Sequence, residues 1–183
     1  LNTKRYSNSI VDAVSAEDIG KFPDQNVAES LQRITGVSLT RSFGEGERVS
    51  IRGTTASQNR TLLNGQAVGS VDWWTNSAAN RGFNYTMLPS EIVSDLEVYK
   101  SPEADIDEGS IGGTVIVRTR QPLDLESGKF AASALAQYSD VSGETDPLTS
   151  GMYNWINDDE TFGVLVSVVR QERNLRRDGI EAW

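Results

Sequence analysis

The residues of this chain that could do chemistry fall in two clusters. Glu103, Asp105, Asp107 and Glu108 place four carboxylates within six positions, a density that suits a calcium loop. The EF-hand spacing fails at position 109, which is Gly, so a metal is not expected. Trp73-Trp74 beside Asn76, Asn80 and Arg81 sets flat apolar faces next to amide and guanidinium donors. That set suits stacking on a sugar ring; packing of the two tryptophans onto their own domain is the alternative. With no Cys and no His, thiolate nucleophiles, imidazole bases and ordinary zinc sites are excluded. Gly44-Glu45-Gly46 lacks the third Gly of a dinucleotide fingerprint, and no Gly-Lys-Ser/Thr is present to cradle a phosphate. Paired carboxylates near tryptophans are the raw material of a glycosidase, yet nothing positions two of the 26 acidic residues about a scissile bond. The chain therefore reads as a non-enzyme without a cofactor.

Charge and hydropathy narrow the setting. A net charge of −9 argues against a nucleic-acid binder, because phosphates require cations. Unbroken apolar runs fall far short of the roughly 20 residues of a spanning helix. Leu1-Asn2-Thr3-Lys4-Arg5 is not followed by an apolar segment, so a signal peptide is not expected within the chain. Any membrane role must fall to β-strands.

The elements that would position these residues follow from spacing. Ser15 and Asp18 form a modest capping box for a short helix ending near Lys21. Asp24 or Asn26 can cap a second helix with Val27, Ala28, Leu31 and Ile34 on one face. Val37, Leu39 and residues 48–52 alternate as strands around a loop from Ser42 to Glu47. Thr61–Leu63 is a strand turned by Asn64-Gly65. Gln66 to Thr86 shows little periodicity and reads as a functional or mobile loop. Residues 96–99 and 114–119 are strands flanking a loop opened by Ser101-Pro102 and closed by Gly109, Gly112 and Gly113, with Ile111 available to pin it to a core. From Phe130 onward, three segments alternate with period two and carry aromatics near their ends. A soluble antiparallel meander has the same period. Three strands cannot close a barrel, so the membrane reading implies a fragment of a longer protein. The expected fold is α+β: a small domain with a mixed sheet and short helices, then an antiparallel meander.

Several of these segments together carry a family resemblance. Residues 12–37, the strand Val49-Ser50-Ile51-Arg52-Gly53, the turn Leu62-Leu63-Asn64-Gly65, the run Val98-Tyr99-Lys100-Ser101-Pro102 and residues 109–118 occur in the order seen in TonB-dependent outer-membrane receptors. The stretch resembles their plug domain, in the large branch first described from Xanthomonas and Caulobacter. On that resemblance residues 1–10 are a polar lead-in, 11–123 the plug, and 128–183 the first three strands of a truncated transmembrane barrel. Most of the family's barrel of about 22 strands is then missing, and the TonB box lies upstream of residue 1.

The resemblance implies a mechanism and partners. The plug of an outer-membrane transporter would gate TonB-dependent uptake of a scarce ligand, a carbohydrate first and a ferric siderophore next. Its partners would be the TonB–ExbB–ExbD complex, its own C-terminal barrel and the outer membrane of a Gram-negative cell; the piece by itself would be soluble. Apical loops carrying Phe43, Arg60, Trp73, Trp74, Asn76, Asn80 and Arg81 would touch ligand. Arg52 and Arg118 would lock plug to barrel through acidic partners. Gly53, Asn64, Gly65, Pro102, Gly112 and Gly113 would shape turns. A soluble periplasmic carbohydrate-binding module, or a glycosidase, is the rival reading.

Overall fold

The computed structural model describes residues 7, 9–15, 19, 24, 26–69, 81–174, 176 and 178. The chain divides into two units, Leu1–Arg120 and Gln121–Trp183.

The first unit is built on a five-stranded mixed sheet. Its strands are β1 (Val11–Ser15), β4 (Asn59–Leu63), β5 (Gln66–Ala67), β6 (Val93–Tyr99) and β7 (Gly113–Thr119), in the order β1-β6-β7-β4-β5. Only the β4–β7 pairing is parallel. A separate hairpin, β2 (Val37–Ser42) with β3 (Glu45–Ile51), and one short helix, α1 (Val27–Leu31), supply the opposing layer. Val27, Leu31, Val49 and Ile51 meet Leu96, Val98, Val115 and Val117 in a continuous core. Each such side chain contributes about 1.5–3 kcal/mol when fully buried. Strand β6 would turn either Val93 or Leu96 away from that core if it were regular. Its register shifts between Val93 and Asp95, so Ser94 is an extra residue and both apolar side chains reach the interior.

Asn26 caps α1: its Oδ1 accepts from the amides of Ala28 (3.0 Å) and Glu29 (3.4 Å), and its Nδ2 donates to the Gly46 carbonyl (3.0 Å). Helix start and hairpin are thereby one assembly. The helix stops at Leu31, earlier than the spacing suggested; Ile34 is buried just beyond it. Asp24 instead accepts from Ser30 Oγ (2.5 Å) and pairs with Arg33.

Three expectations are corrected. Residues 11–15 form an edge strand, and Ser15, expected to cap a helix, ends that strand. Val11 and Val14 are spaced like a helical pair, but pairing with β6 overrides that spacing. Of the expected helix beyond them, only Ile19 is described; it is helical and buried. The hairpin loop is two residues, Phe43-Gly44, with φ of 51° and 86°, and Glu45 already belongs to β3 and is buried. Of the polar stretch from Gln66 to Thr86, residues 70–80 lie outside the described residues; near its end Tyr85 is 2% exposed and packs edge-on against Phe83 with ring centroids 4.7 Å apart. Ile111 does not pin its loop, being 83% exposed.

The second unit is a three-stranded antiparallel meander of β8 (Phe130–Ser139), β9 (Glu144–Ile156) and β10 (Gly163–Gln171). Its register puts Phe130, Tyr153 and Val166 in one row, and Trp155 opposite Val164. Phe130, Tyr138, Tyr153, Trp155, Val164, Val166 and Val168 are all exposed on that face. The reverse face carries Ser133, whose Oγ lies 2.7 Å from that of Ser150, and the wholly buried Asn154. Asn154 Nδ2 donates to the carbonyls of Pro122 (3.1 Å) and Glu126 (3.0 Å), fastening the unit's opening turn to β9. An apolar face with aromatics toward its ends, backed by a more polar one, is the pattern of a lipid-facing barrel wall. Among the described residues no helix is long and apolar enough to cross a membrane.

Candidate functional site

Three connections meet at one end of the five-stranded sheet. Because β4 and β7 are parallel and start opposite each other, Asn59 against Gly113, the segments entering them lie side by side. Residues 54–58 enter β4 and residues 100–112 enter β7; Arg81 and Phe83 come from the long connection before β6. Together they line a cleft of about 380 Å³ that includes Ser57, Arg60, Arg81, Phe83, Glu108 and Gly109. A second cleft of about 380 Å³ lies on the other side of Glu108 and Gly109 and includes Pro102, Glu103 and Asp107.

Arg60 is the best-defined cation of the first cleft. Its guanidinium donates to Asp107 Oδ2 (3.2 Å) and to the carbonyl of Glu108. Phe83, packed against Tyr85, lines the same cleft, and the exposed Arg81 adds a second guanidinium. Two guanidinium forks with an aromatic face recognise a flat, anionic, oxygen-rich ligand: forks match carboxylate geometry and stack on π systems. Of the carboxylates at 103–108, Glu108 lines this cleft and Asp107 pairs with Arg60, while Glu103 lines the second cleft; no group of acidic residues that could hold a metal exists among the described residues.

The residues singled out from the sequence are scattered by the structure. Arg60 and Arg81 share the cleft. Phe43 does not line it; it is exposed at the tip of the β2–β3 hairpin. Trp73, Trp74, Asn76 and Asn80 lie outside the described residues. Arg52 is exposed in a left-handed turn with Gly53 (φ 55° and 75°), its amide donating to Gly36 O (2.8 Å). Asn64-Gly65 turns with φ of 51° and 80°, and Asn64 Oδ1 accepts from the amide of Thr119 (2.9 Å), bolting the turn to β7. Such φ values cost most residues 1–2 kcal/mol but suit Asn and Gly. At Gly112 a Cβ would run into Asn59 Oδ1 and Thr54 Oγ1; at Gly113 it would meet Tyr99 O at 2.7 Å.

Arg118 has its partners within the sheet. It donates to Glu97 Oε1 (3.1 Å) and Oε2 (3.0 Å) and reaches Asp95 at 3.4 Å. Partial burial works against the cation, but Glu97 and Asp95 outweigh it and hold the guanidinium charge more tightly than usual. Tyr99, beside Glu97, has its hydroxyl pKa pushed up to about 12, by burial first and by Glu97 and Glu103 next. Sequence reasoning found Arg118 but missed Glu97, which looked like an ordinary strand residue. It also missed the structural role of Asn59, whose Nδ2 donates to Val49 O (2.9 Å) and ties the hairpin to the main sheet.

This fold, a small mixed-sheet domain followed by a two-faced antiparallel meander, is that of a receptor plug with adjoining strands. The model of the TonB-dependent Receptor Plug Domain family matches residues 3–114, and the chain belongs to that family. It is 28% identical over 93% of its length to the ferric enterobactin receptor PirA of Pseudomonas aeruginosa, and 24% identical over 94% to the ferrienterobactin receptor of Escherichia coli K12. Among solved structures it resembles the ferric citrate transporter FecA (TM-score 0.71, 23% identity, 93% of this chain and 26% of that one). It also resembles the siderophore receptor PirA of Acinetobacter baumannii (TM-score 0.68, 21% identity, 93% and 25%). The chain spans about a quarter of these relatives, 26% of the first and 24% of the second. Membership locates the chain at the cell outer membrane.

Proposed function

We propose that this chain is the plug, with the first wall strands, of a receptor that takes up a ferric siderophore. In this reading residues 11–123 are the plug and 128–183 the first three barrel strands, an arrangement supported by the division after Arg120 and by the two-faced meander. The TonB–ExbB–ExbD complex rearranges the plug once ligand is bound, and the rest of the barrel surrounds it. Arg52 and Arg118 lock the plug to acidic wall residues. For Arg118 that means sharing or exchanging its present hold on Glu97 and Asp95.

The observation that carries the ligand class is the cleft that joins Arg60, Arg81 and Phe83. Its chemistry suits an anionic iron chelate better than a neutral sugar. The named relatives are receptors for iron chelates, so the siderophore moves ahead of the carbohydrate that the sequence alone favoured. Binding of ferric enterobactin, ferric citrate and a maltooligosaccharide to the purified receptor, followed by tryptophan fluorescence, tests this. One of the iron chelates should bind, and Arg60→Ala with Arg81→Ala should weaken it by at least about tenfold, since a hydrogen bond to a charged group is worth about 1.5–3 kcal/mol. Saturable binding of the sugar with none of either chelate would replace the reading.

A further inference from the structure

The sequence holds a single Asn-Gly step, Asn64-Gly65, at the exposed turn between β4 and β5. Leu63 pairs with Gln66, so the turn is two residues long, with φ of 51° and 80°. Asn-Gly is also the step at which an asparagine carboxamide is most readily lost. The following backbone nitrogen is the nucleophile, and Gly sets no side chain beside it. Among the described residues nothing stands within 4 Å of where a Cβ on Gly65 would point. The restraint comes from β7. Asn64 Oδ1 accepts from the amide of Thr119 (2.9 Å), and Nδ2 donates to Thr119 Oγ1 (2.9 Å). Asn64 N donates to Val117 O (2.8 Å), which holds the main chain of the turn on the same strand. The carboxamide is therefore gripped at both of its polar atoms by one residue 55 positions away.

We propose that Asn64 is a deamidation site that the fold keeps closed and that opening of the β4–β7 junction uncovers. In the reaction the Gly65 nitrogen, losing its proton, bonds to Asn64 Cγ; the Cγ–Nδ2 bond breaks and the nitrogen leaves as ammonia. Water then opens the resulting five-membered imide at either carbonyl, giving aspartate or isoaspartate. To start, the carboxamide must swing until Cγ faces the Gly65 nitrogen, and that swing breaks both of its bonds to Thr119. Local opening of β4 from β7 releases the same two bonds at once. The products differ in what they can rebuild. Aspartate fits the turn but has no Nδ2 to donate to Thr119 Oγ1. Isoaspartate runs the main chain through Cβ and Cγ, which adds an atom to a two-residue turn and makes the old Oδ1 a main-chain oxygen. Each opening thus carries a chance of a covalent mark at the parallel β4–β7 pairing.

The test is peptide mass spectrometry of the receptor carrying this chain, incubated in detergent at mildly alkaline pH and compared with the same protein in guanidinium chloride. Conversion of amide to acid is located at Asn64 by fragmentation of the tryptic peptide 61–81. Asn64 should convert at least about tenfold more slowly in the folded receptor than in the unfolded one, as a step that needs local opening requires. Thr119→Val removes one of the two bonds and should speed the folded reaction about threefold to tenfold, the worth of one neutral hydrogen bond. Thr119→Ser keeps the hydroxyl and should stay as slow as wild type. If it reacts as fast as Thr119→Val, packing on β7 rather than the grip sets the rate, and the proposal fails. Equal rates in the folded and unfolded protein, or a Thr119→Val as slow as wild type, overturn it as well.

Discussion

Arg118 is half exposed, yet its guanidinium reaches Glu97, a carboxylate that is almost wholly buried. Burying a carboxylate is expensive unless a cation and hydrogen bonds meet it, and here the fork supplies both. Tyr99 completes the group by donating its hydroxyl to Glu97 (3.3 Å). Because that hydroxyl titrates near 12 rather than 10, the folded state holds its proton more tightly than the unfolded chain does. Its contribution to stability is intact below about pH 10 and is lost as pH rises toward about 12. Denaturant titration of the receptor between pH 9 and 12 should therefore show Tyr99→Phe losing less stability than wild type over that window. Equal slopes for the two proteins would contradict the shift. Arg118 could be picked out from the sequence through the family pattern. Glu97 could not, because only the β6–β7 pairing, with Asp95 opposite Arg118, brings it within reach.

Elements are joined here by close approaches rather than by long helices. Gly112 lies against Asn59 and Thr54, whose side chains bond to each other (3.1 Å) while Asn59 reaches across to β3. Gly112→Ala should push that pair apart and destabilise the plug by about 1–3 kcal/mol, the usual cost of overpacking a filled site. Equilibrium unfolding measures it, and a change within error of zero would mean the junction relaxes freely. The strands β4, β6 and β7 and the Asn64-Gly65 turn were legible because alternation and turn residues are local signals. Strand β1 was not, since five residues at a sheet edge carry too little pattern to outvote the helical spacing of Val11 and Val14. The hairpin tip was read too long because Glu45 looks solvent-bound; α1 covers the adjoining Gly46, whose amide donates to Glu29 Oε1 (3.0 Å).

The two units differ in where their apolar side chains lie. Most apolar side chains of the plug's sheet pack into one core, whereas the meander shows Val164, Val166 and Val168 on an exposed face. A charge introduced into a lipid-facing wall costs about 2–4 kcal/mol near the bilayer midplane. Val166→Arg should accordingly depress folding of the receptor into lipid vesicles by about that amount, while Ser167→Arg, on the opposite face, should cost much less. Similar losses for both substitutions would mean that this face does not meet lipid.

Hydrophobic period, turn dipeptides and motif order, all local in the chain, determined the fold class, the plug identity and the two-faced strands. The tertiary structure decided which distant segments meet: parallel pairing of β4 with β7 joins Arg60 with Asp107, and antiparallel pairing of β1 with β6 brings residues 7–12 to the 100–112 loop. Those partners lie up to 96 positions apart, and no local signal encodes which distant loops will share one end of a sheet.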